Sequence, residues 1–160
     1  MTLAYIGFGS NLEREKHARA AYQELARLGA VRASTVYECQ PVGFESHAFY
    51  NFVFELDTTL SLHELQHVLR EIEIKWGRRI DAQKFQDRTL DLDILLFGDR
   101  VSSDKPIVPR SDIFKYEFVI RPLVELCPQF VIPNDGRTVE QIWQQFDSPK
   151  NTLTSVDFRF

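Results

Sequence analysis

Cysteine is scarce in this chain: Cys39 and Cys127 are its only two, far apart among 160 residues. That excludes a disulfide framework and a zinc knuckle, and both are expected to be reduced thiols. A catalytic cysteine has no support, because nothing marks a partner base. Charge of one sign is also lacking. Nineteen basic residues stand against 23 acidic ones, a net of −4, so the chain has no global attraction to nucleic acid or to an anionic membrane. Any anionic ligand must be held by a local cluster. No apolar run approaches the roughly 18 residues of a membrane span, and the start of the chain carries no basic n-region of a signal peptide. Cytoplasmic residence is the default expectation. No internal repeat or low-complexity segment is visible, and 44% hydrophobic content over this length suits a single domain spanning residues 1–160. Gly7-Phe8-Gly9 lacks the third glycine of a dinucleotide fingerprint.

What the chain does have is Arg88-Thr89-Leu90-Asp91-Leu92-Asp93-Ile94-Leu95-Leu96-Phe97. Read as a strand, it puts Leu90, Leu92, Ile94 and Leu96 on one face and Asp91 and Asp93 on the other. At about 3.3 Å rise per residue the two Asp Cα atoms lie about 6.6 Å apart, close enough to converge on one cation or a pair of cations. Hard carboxylate oxygens suit magnesium, with phosphate oxygens completing its shell. A solvated amphipathic strand would show the same alternation without any function. Leu95 and Phe97 argue against that, since they add apolar residues to the Asp face. The preceding segment, Lys75 to Arg88, carries Lys75, Arg78, Arg79, Lys84 and Arg88 against Asp81 and Asp87, five against two. An anion bound with a divalent cation is the simplest ligand for both groups.

Elsewhere the pattern is strand, helix, strand, strand, helix, strand. Leu3 to Phe8 opens as a strand, a helix runs from Glu13 to Leu28 with Gly29 as its cap, and Val31 to Glu38 forms the second strand. Phe49 to Leu56 is the third, with Tyr50, Phe52, Phe54 and Leu56 on a wholly apolar face and Asn51 on the less buried one. Asn51, flanked by Phe49 and Val53, could read a flat heterocycle or serve as a structural amide. Ser61 and Glu64 form a capping box for a helix carrying Leu62, Leu65, Leu69, Ile72 and Trp76. Gly77 to Asp87 reads as a mobile loop, and His63 and His67 as surface residues. Later elements are a helix over Glu117 to Leu126, a brief strand at Phe130 to Ile132, and a last helix capped by Thr138 and Gln141.

Taken in order, Ala4 through Leu12, Pro41-Val42-Gly43, Phe49-Tyr50-Asn51, Glu73 with Gly77-Arg78, and Arg88 through Phe97 resemble the 6-hydroxymethyl-7,8-dihydropterin pyrophosphokinases. The resemblance implies an α/β (α+β) fold, a ferredoxin-like sandwich with a mainly antiparallel sheet. It implies transfer of the β,γ-pyrophosphoryl group of ATP to the pterin hydroxymethyl oxygen, with release of AMP, in folate biosynthesis. Asp91 and Asp93 carry over as ligands of two Mg2+ ions, and Arg78 and Arg88 as catalytic phosphate clamps. Nucleotide contacts carry over to Arg70, Glu73, Lys84, Arg88 and Ile94, and further along to Lys105, Ile107 and Arg110. Pterin contacts carry over to Gly9, Val42, Phe49, Asn51, Phe85 and Phe118. The partners implied are the small molecules ATP and pterin, with no nucleic acid and no membrane, and the chain is expected to be a monomer.

The departures from the family pattern gather at the nucleotide end. Lys84-Phe85 stands where an Arg-Trp pair is usual, Ile80 where another Arg is common, and Asp87 where a Pro precedes Arg88. Cys39-Gln40 replaces Thr-Pro, Arg110-Ser111 replaces His-Tyr, and Tyr116 replaces a basic residue. Lys does not reproduce the bidentate fork of Arg. Two rival readings follow: a divergent relative that binds pterin or nucleotide with little transfer, and a metal-dependent phosphohydrolase.

Overall fold

The computed structural model describes residues 1–40, 47–77, 90–147 and 153–160. Its sheet is centred on β4 (Phe49–Thr58), beside which lies β1 (Thr2–Ser10), with β5 (Asp91–Phe97) at the edge beyond β1. β2 (Gly29–Ala33) and β3 (Val36–Cys39) both pair with β4, and β6 (Thr154–Val156) adds to β3. Every pairing is antiparallel. The mixed α/β sandwich implied by the resemblance is therefore the fold.

Both faces of the sheet are covered. Helices α1 (Arg14–Ala26) and α2 (Leu62–Lys75) pack on one face, where Ala18, Ala21, Leu25, Leu65 and Leu69 meet Ile6, Phe8, Phe52, Phe54, Leu92 and Ile94. On the other face, α4 (Glu117–Leu126) and α5 (Val139–Gln144), preceded by the short α3 (Asp112–Lys115), bring Ile120, Leu123 and Ile142 against Tyr5, Val53, Leu95 and Leu96. Asn51 is thus only 9% exposed, and the expectation that it lies on a less buried side fails because helices cover that side too.

Both expected capping boxes form. The Ser61 hydroxyl accepts the Glu64 N–H at 3.1 Å while Glu64 accepts the Ser61 N–H at 2.8 Å, and Thr138 and Gln141 repeat the arrangement. Three boundaries differ from the sequence reading. The expected strand over Val31 to Glu38 is two strands, because the Ser34 hydroxyl accepts the Val53 N–H and Glu125 of α4 draws off the Thr35 N–H. Gly29 begins β2 rather than capping α1, and a Cβ there would lie 1.8 Å from the Asp57 carbonyl oxygen. Phe130 to Ile132 contributes an isolated bridge, Val131 to Thr138, and no strand.

The apolar stripe of α2 should dominate stability over its cap. Leu69→Ala, at a site with no exposure, is expected to lower unfolding free energy by ~2–5 kcal/mol in urea denaturation. Ser61→Ala should cost about 1 kcal/mol. Equal losses for the two would contradict this ranking.

Candidate active site

Asp91 and Asp93 open β5, and register fixes what lies beside them. Asp91 pairs with Gly9 and Asp93 with Gly7 on β1, which in turn pair with Asn51 and Val53 on β4. Paired residues share a face, so the two carboxylates lie on the same face as the Asn51 amide across a strip of two glycines, with the Leu95 side chain packed 3.5 Å from where a Cβ on Gly7 would sit. The strip is tight at its far end. A Cβ on Gly9 would come within 3.1 Å of Asn51 Nδ2 and 3.8 Å of Phe49 Cδ1.

Beyond the aspartates the strand is not regular. Tyr5 pairs with Leu96 and Ile6 with Ile94, so Leu95 is an extra residue. This bulge turns Leu95 and Leu96 together onto the Asp face and returns Phe97 to the α1/α2 side. Strict alternation had assigned Leu96 and Phe97 the opposite way. The consequence survives the correction, because Leu95 and Leu96 still cover the end of the Asp face.

The outer edge of β5 is held by side chains and a loop. Glu73 of α2 is wholly buried, accepts the Leu92 N–H at 2.8 Å and pairs with Arg70 at 2.7 Å. The Arg110 N–H donates to the Leu95 carbonyl at 2.9 Å. From that anchor the Arg110 guanidinium reaches 3.8 Å from Asp93 and 3.2 Å from Asp112. Burial, and then the charge of Asp91, push the Asp93 carboxyl up to about 7, with Arg110 pulling the other way. Among the described residues, three carboxylates, Asp91, Asp93 and Asp112, surround the one guanidinium of Arg110.

Asn51 is engaged on both sides. Its Oδ1 accepts from the Cys39 thiol at 2.7 Å, and its Nδ2 donates to the Phe8 carbonyl at 3.4 Å. Burial raises the Cys39 thiol to about 12, with the charges of Glu117 and Glu38 adding to it, so it stays protonated and able to donate. The start of α4 therefore lies close to this end of β3 and β4. Arg121 stands 4.9 Å over the Tyr37 ring and Glu125 accepts the Tyr37 hydroxyl. Phe118, on the same first turn of α4 as Glu117, stacks with Tyr116 at 4.9 Å between ring centres. Pro122 cannot donate to the Phe118 carbonyl, which loosens the helix there.

The model of the 7,8-dihydro-6-hydroxymethylpterin-pyrophosphokinase (HPPK) family matches residues 5–128. A Bacillus subtilis relative named 2-amino-4-hydroxy-6-hydroxymethyldihydropteridine pyrophosphokinase is 38% identical, over 89% of this chain and 91% of the relative. A Haemophilus influenzae protein of the same name is 35% identical, over 94% and 96%. The chain belongs to the HPPK family. The Plasmodium falciparum HPPK-DHPS structure superposes with a TM-score of 0.68 at 13% identity, a likeness of fold; this chain spans 44% of that longer one. Family membership makes the chain a pyrophosphokinase of folate biosynthesis, and the reading as a non-transferring relative is not favoured.

Against that family, the structure brings Asp91, Asp93, Gly9, Asn51 and Arg110 to one end of the sheet. Phe49 is beside Gly9, and Phe118 begins the helix that covers the same end. Glu73 and Arg70 lie behind the pair, at the β5 edge. The Ile94 side chain packs in the core with Ile6, leaving only its backbone to a ligand. Lys105 and Ile107 are exposed on the connection that leads to Arg110, and no described interaction joins them to the aspartates. Val42, Arg78, Lys84, Phe85 and Arg88, with the expected basic loop, lie outside the described residues. Cys39 and Asp112 were missed as site residues. Cys39 was legible as a donor beside Asn51 only through the β3–β4 register, and Asp112 only through the turn that ends at Arg110.

No group of three or more His, Cys, Asp or Glu side chains among the described residues could hold a metal. Two carboxylates alone still fit magnesium, which takes one or two protein carboxylates and fills its shell with phosphate oxygens and water. The placement of Asp91 and Asp93 at alternate positions of one strand, on one partly covered face, is the observation that favours a cation there.

That crowding has a stability consequence. A carboxyl near 7 in the folded protein and near its ordinary 3.8 when unfolded makes the metal-free protein lose stability as pH rises from about 4 to about 7, with no further loss above. Asp93→Asn removes the slope. The variant is expected to be more stable than the parent by on the order of 2 kcal/mol at pH 8, with a clearly smaller gain at pH 5, in metal-free denaturation. An equal effect at both pH values would contradict it.

Proposed function

We propose that this site transfers the β,γ-pyrophosphoryl group of ATP to the hydroxymethyl oxygen of 6-hydroxymethyl-7,8-dihydropterin, with Asp91 and Asp93 holding two magnesium ions. The observation that carries it is the pair itself: two carboxylates on one half-covered strand face, looking across Gly7 and Gly9 toward a buried amide. Bound magnesium would neutralise the polyphosphate oxygens and fix their geometry. The hydroxymethyl oxygen bonds to the β-phosphorus, the bond from that phosphorus to the α-bridging oxygen breaks, AMP leaves with the electron pair, and the hydroxyl proton is released.

The chain's own residues divide the remaining work. Asn51 hydrogen-bonds the edge of the pterin, its amide oriented by Cys39, while Phe49 and Phe118 offer ring faces and Gly9 leaves room. Val42 and Phe85 are assigned to the pterin by the family pattern alone. Arg78 and Arg88 clamp phosphate oxygens, with Lys84, Arg70, Lys105 and Arg110 adding charge around the nucleotide and Ile107 and the Ile94 backbone lining it. Glu73 acts by holding the β5 edge through Leu92, so its role is to keep the aspartates in place. The enzyme works in this reading as a monomer in the cytoplasm. No helix among the described residues is long and apolar enough to cross a membrane.

Coupled detection of AMP with ATP, magnesium and the pterin tests the assignment. Asp93→Ala is expected to cut turnover by roughly a thousandfold or more, as loss of a metal-holding group should. Its circular dichroism should match the parent. Undiminished turnover in the variant would remove Asp93 from the reaction, and AMP formation independent of pterin would favour a phosphohydrolase.

A further inference from the structure

Arg110 combines a fixed backbone with an uncommitted side chain. Its N–H is tied to the Leu95 carbonyl on β5, so the residue stays beside the aspartates. Its guanidinium, by contrast, lies at ion-pair distance from both Asp93 and Asp112, and its Nε makes no hydrogen bond among the described residues. Such a charge is balanced between two carboxylates and locked to neither. The side chain is 39% exposed as a whole, although its Nε is buried. Among the described residues, the charges that act on it most are those of Asp93, Asp112 and Asp91.

We propose that Arg110 is the internal counter-ion of the aspartate pair in the metal-free site, opposing a divalent cation that binds alone and favouring one that binds together with a polyphosphate. This rests on the metal and nucleotide reading given above. A cation on Asp93 places like charge beside the guanidinium, which weakens binding when nothing else is present. A polyphosphate changes the sign. The guanidinium can leave Asp93 for phosphate oxygens, which its planar fork fits, and both cations then share one anion. Binding of the two ligands becomes coupled, and by linkage the same factor must appear in the affinity of each for the site filled by the other. Arg110 is a positioning residue here, acting on Asp93 before the reaction starts.

The test is a binding cycle on the whole chain, with Mn2+ and α,β-methylene ATP titrated singly and together into the parent, Arg110→Gln and Arg110→Lys. Arg110→Gln is expected to bind Mn2+ alone several-fold more tightly and the analogue alone more weakly, with the coupling factor reduced about tenfold. Arg110→Lys, which keeps the charge and loses the fork, should hold Mn2+ alone as weakly as the parent. Arg110→Lys should melt close to the parent, while Arg110→Gln should melt lower without metal and recover on adding Mn2+, with circular dichroism unchanged because the backbone anchor is untouched. Mn2+ binding that is unchanged or weaker in Arg110→Gln, or a coupling factor that does not move, would overturn the proposal. A parent that binds no Mn2+ even with the analogue present would instead overturn the underlying metal reading.

Discussion

Two like charges are held two residues apart on a strand face whose far end is packed with leucine, and the site depends on that arrangement. Left to itself the pair would repel and drive toward water. It stays because β5 is fixed on both edges: by the ladder to β1 on one side, and by Glu73 and the Arg110 backbone on the other. The strand therefore holds two carboxylates close together in a partly buried place, which pushes the Asp93 carboxyl up. A group kept where it destabilises the empty protein is a common mark of a binding site.

The sheet gives this charge something to face. Glycine at two alternate positions of β1 lets the Leu95 side chain pack over Gly7 and the Asn51 amide of β4 come close over Gly9, and that amide is oriented by a thiol that burial keeps protonated. Helix α4 covers this end and supplies Phe118 and Tyr116. The Asp pair on β5 and the Asn51 amide on β4 thus sit one strand apart, on one face of the same sheet. That proximity is what transfer between a nucleotide and a heterocyclic acceptor requires, since most of its rate comes from positioning and charge neutralisation.

Much of this was legible in the sequence. The period of two around Asp91 and Asp93, the stripe and capping box of α2, and the alternation along β4 each state a local preference that the fold obeys. What could not be read depended on partners distant in the chain. The bulge at Leu95 exists only in pairing with β1, so alternation misassigned Leu96 and Phe97. The break at Ser34 depends on Val53 and on Glu125, and the burial of Asn51 depends on a helix some seventy positions later. Glu73 was legible through the family resemblance, as a nucleotide contact, but its bond to the Leu92 N–H was not legible at all. The departures at Cys39 and Arg110 could be noted by type, whereas their partners, Asn51 and Asp93, came only from the geometry.

The most direct measurement is mass spectrometry of the pterin recovered after incubation with ATP and magnesium. The expected product is the pterin carrying one diphosphate group, formed in equal amount with AMP. A pterin monophosphate accompanied by ADP, or an unaltered pterin with ATP hydrolysed, would contradict pyrophosphoryl transfer by this site.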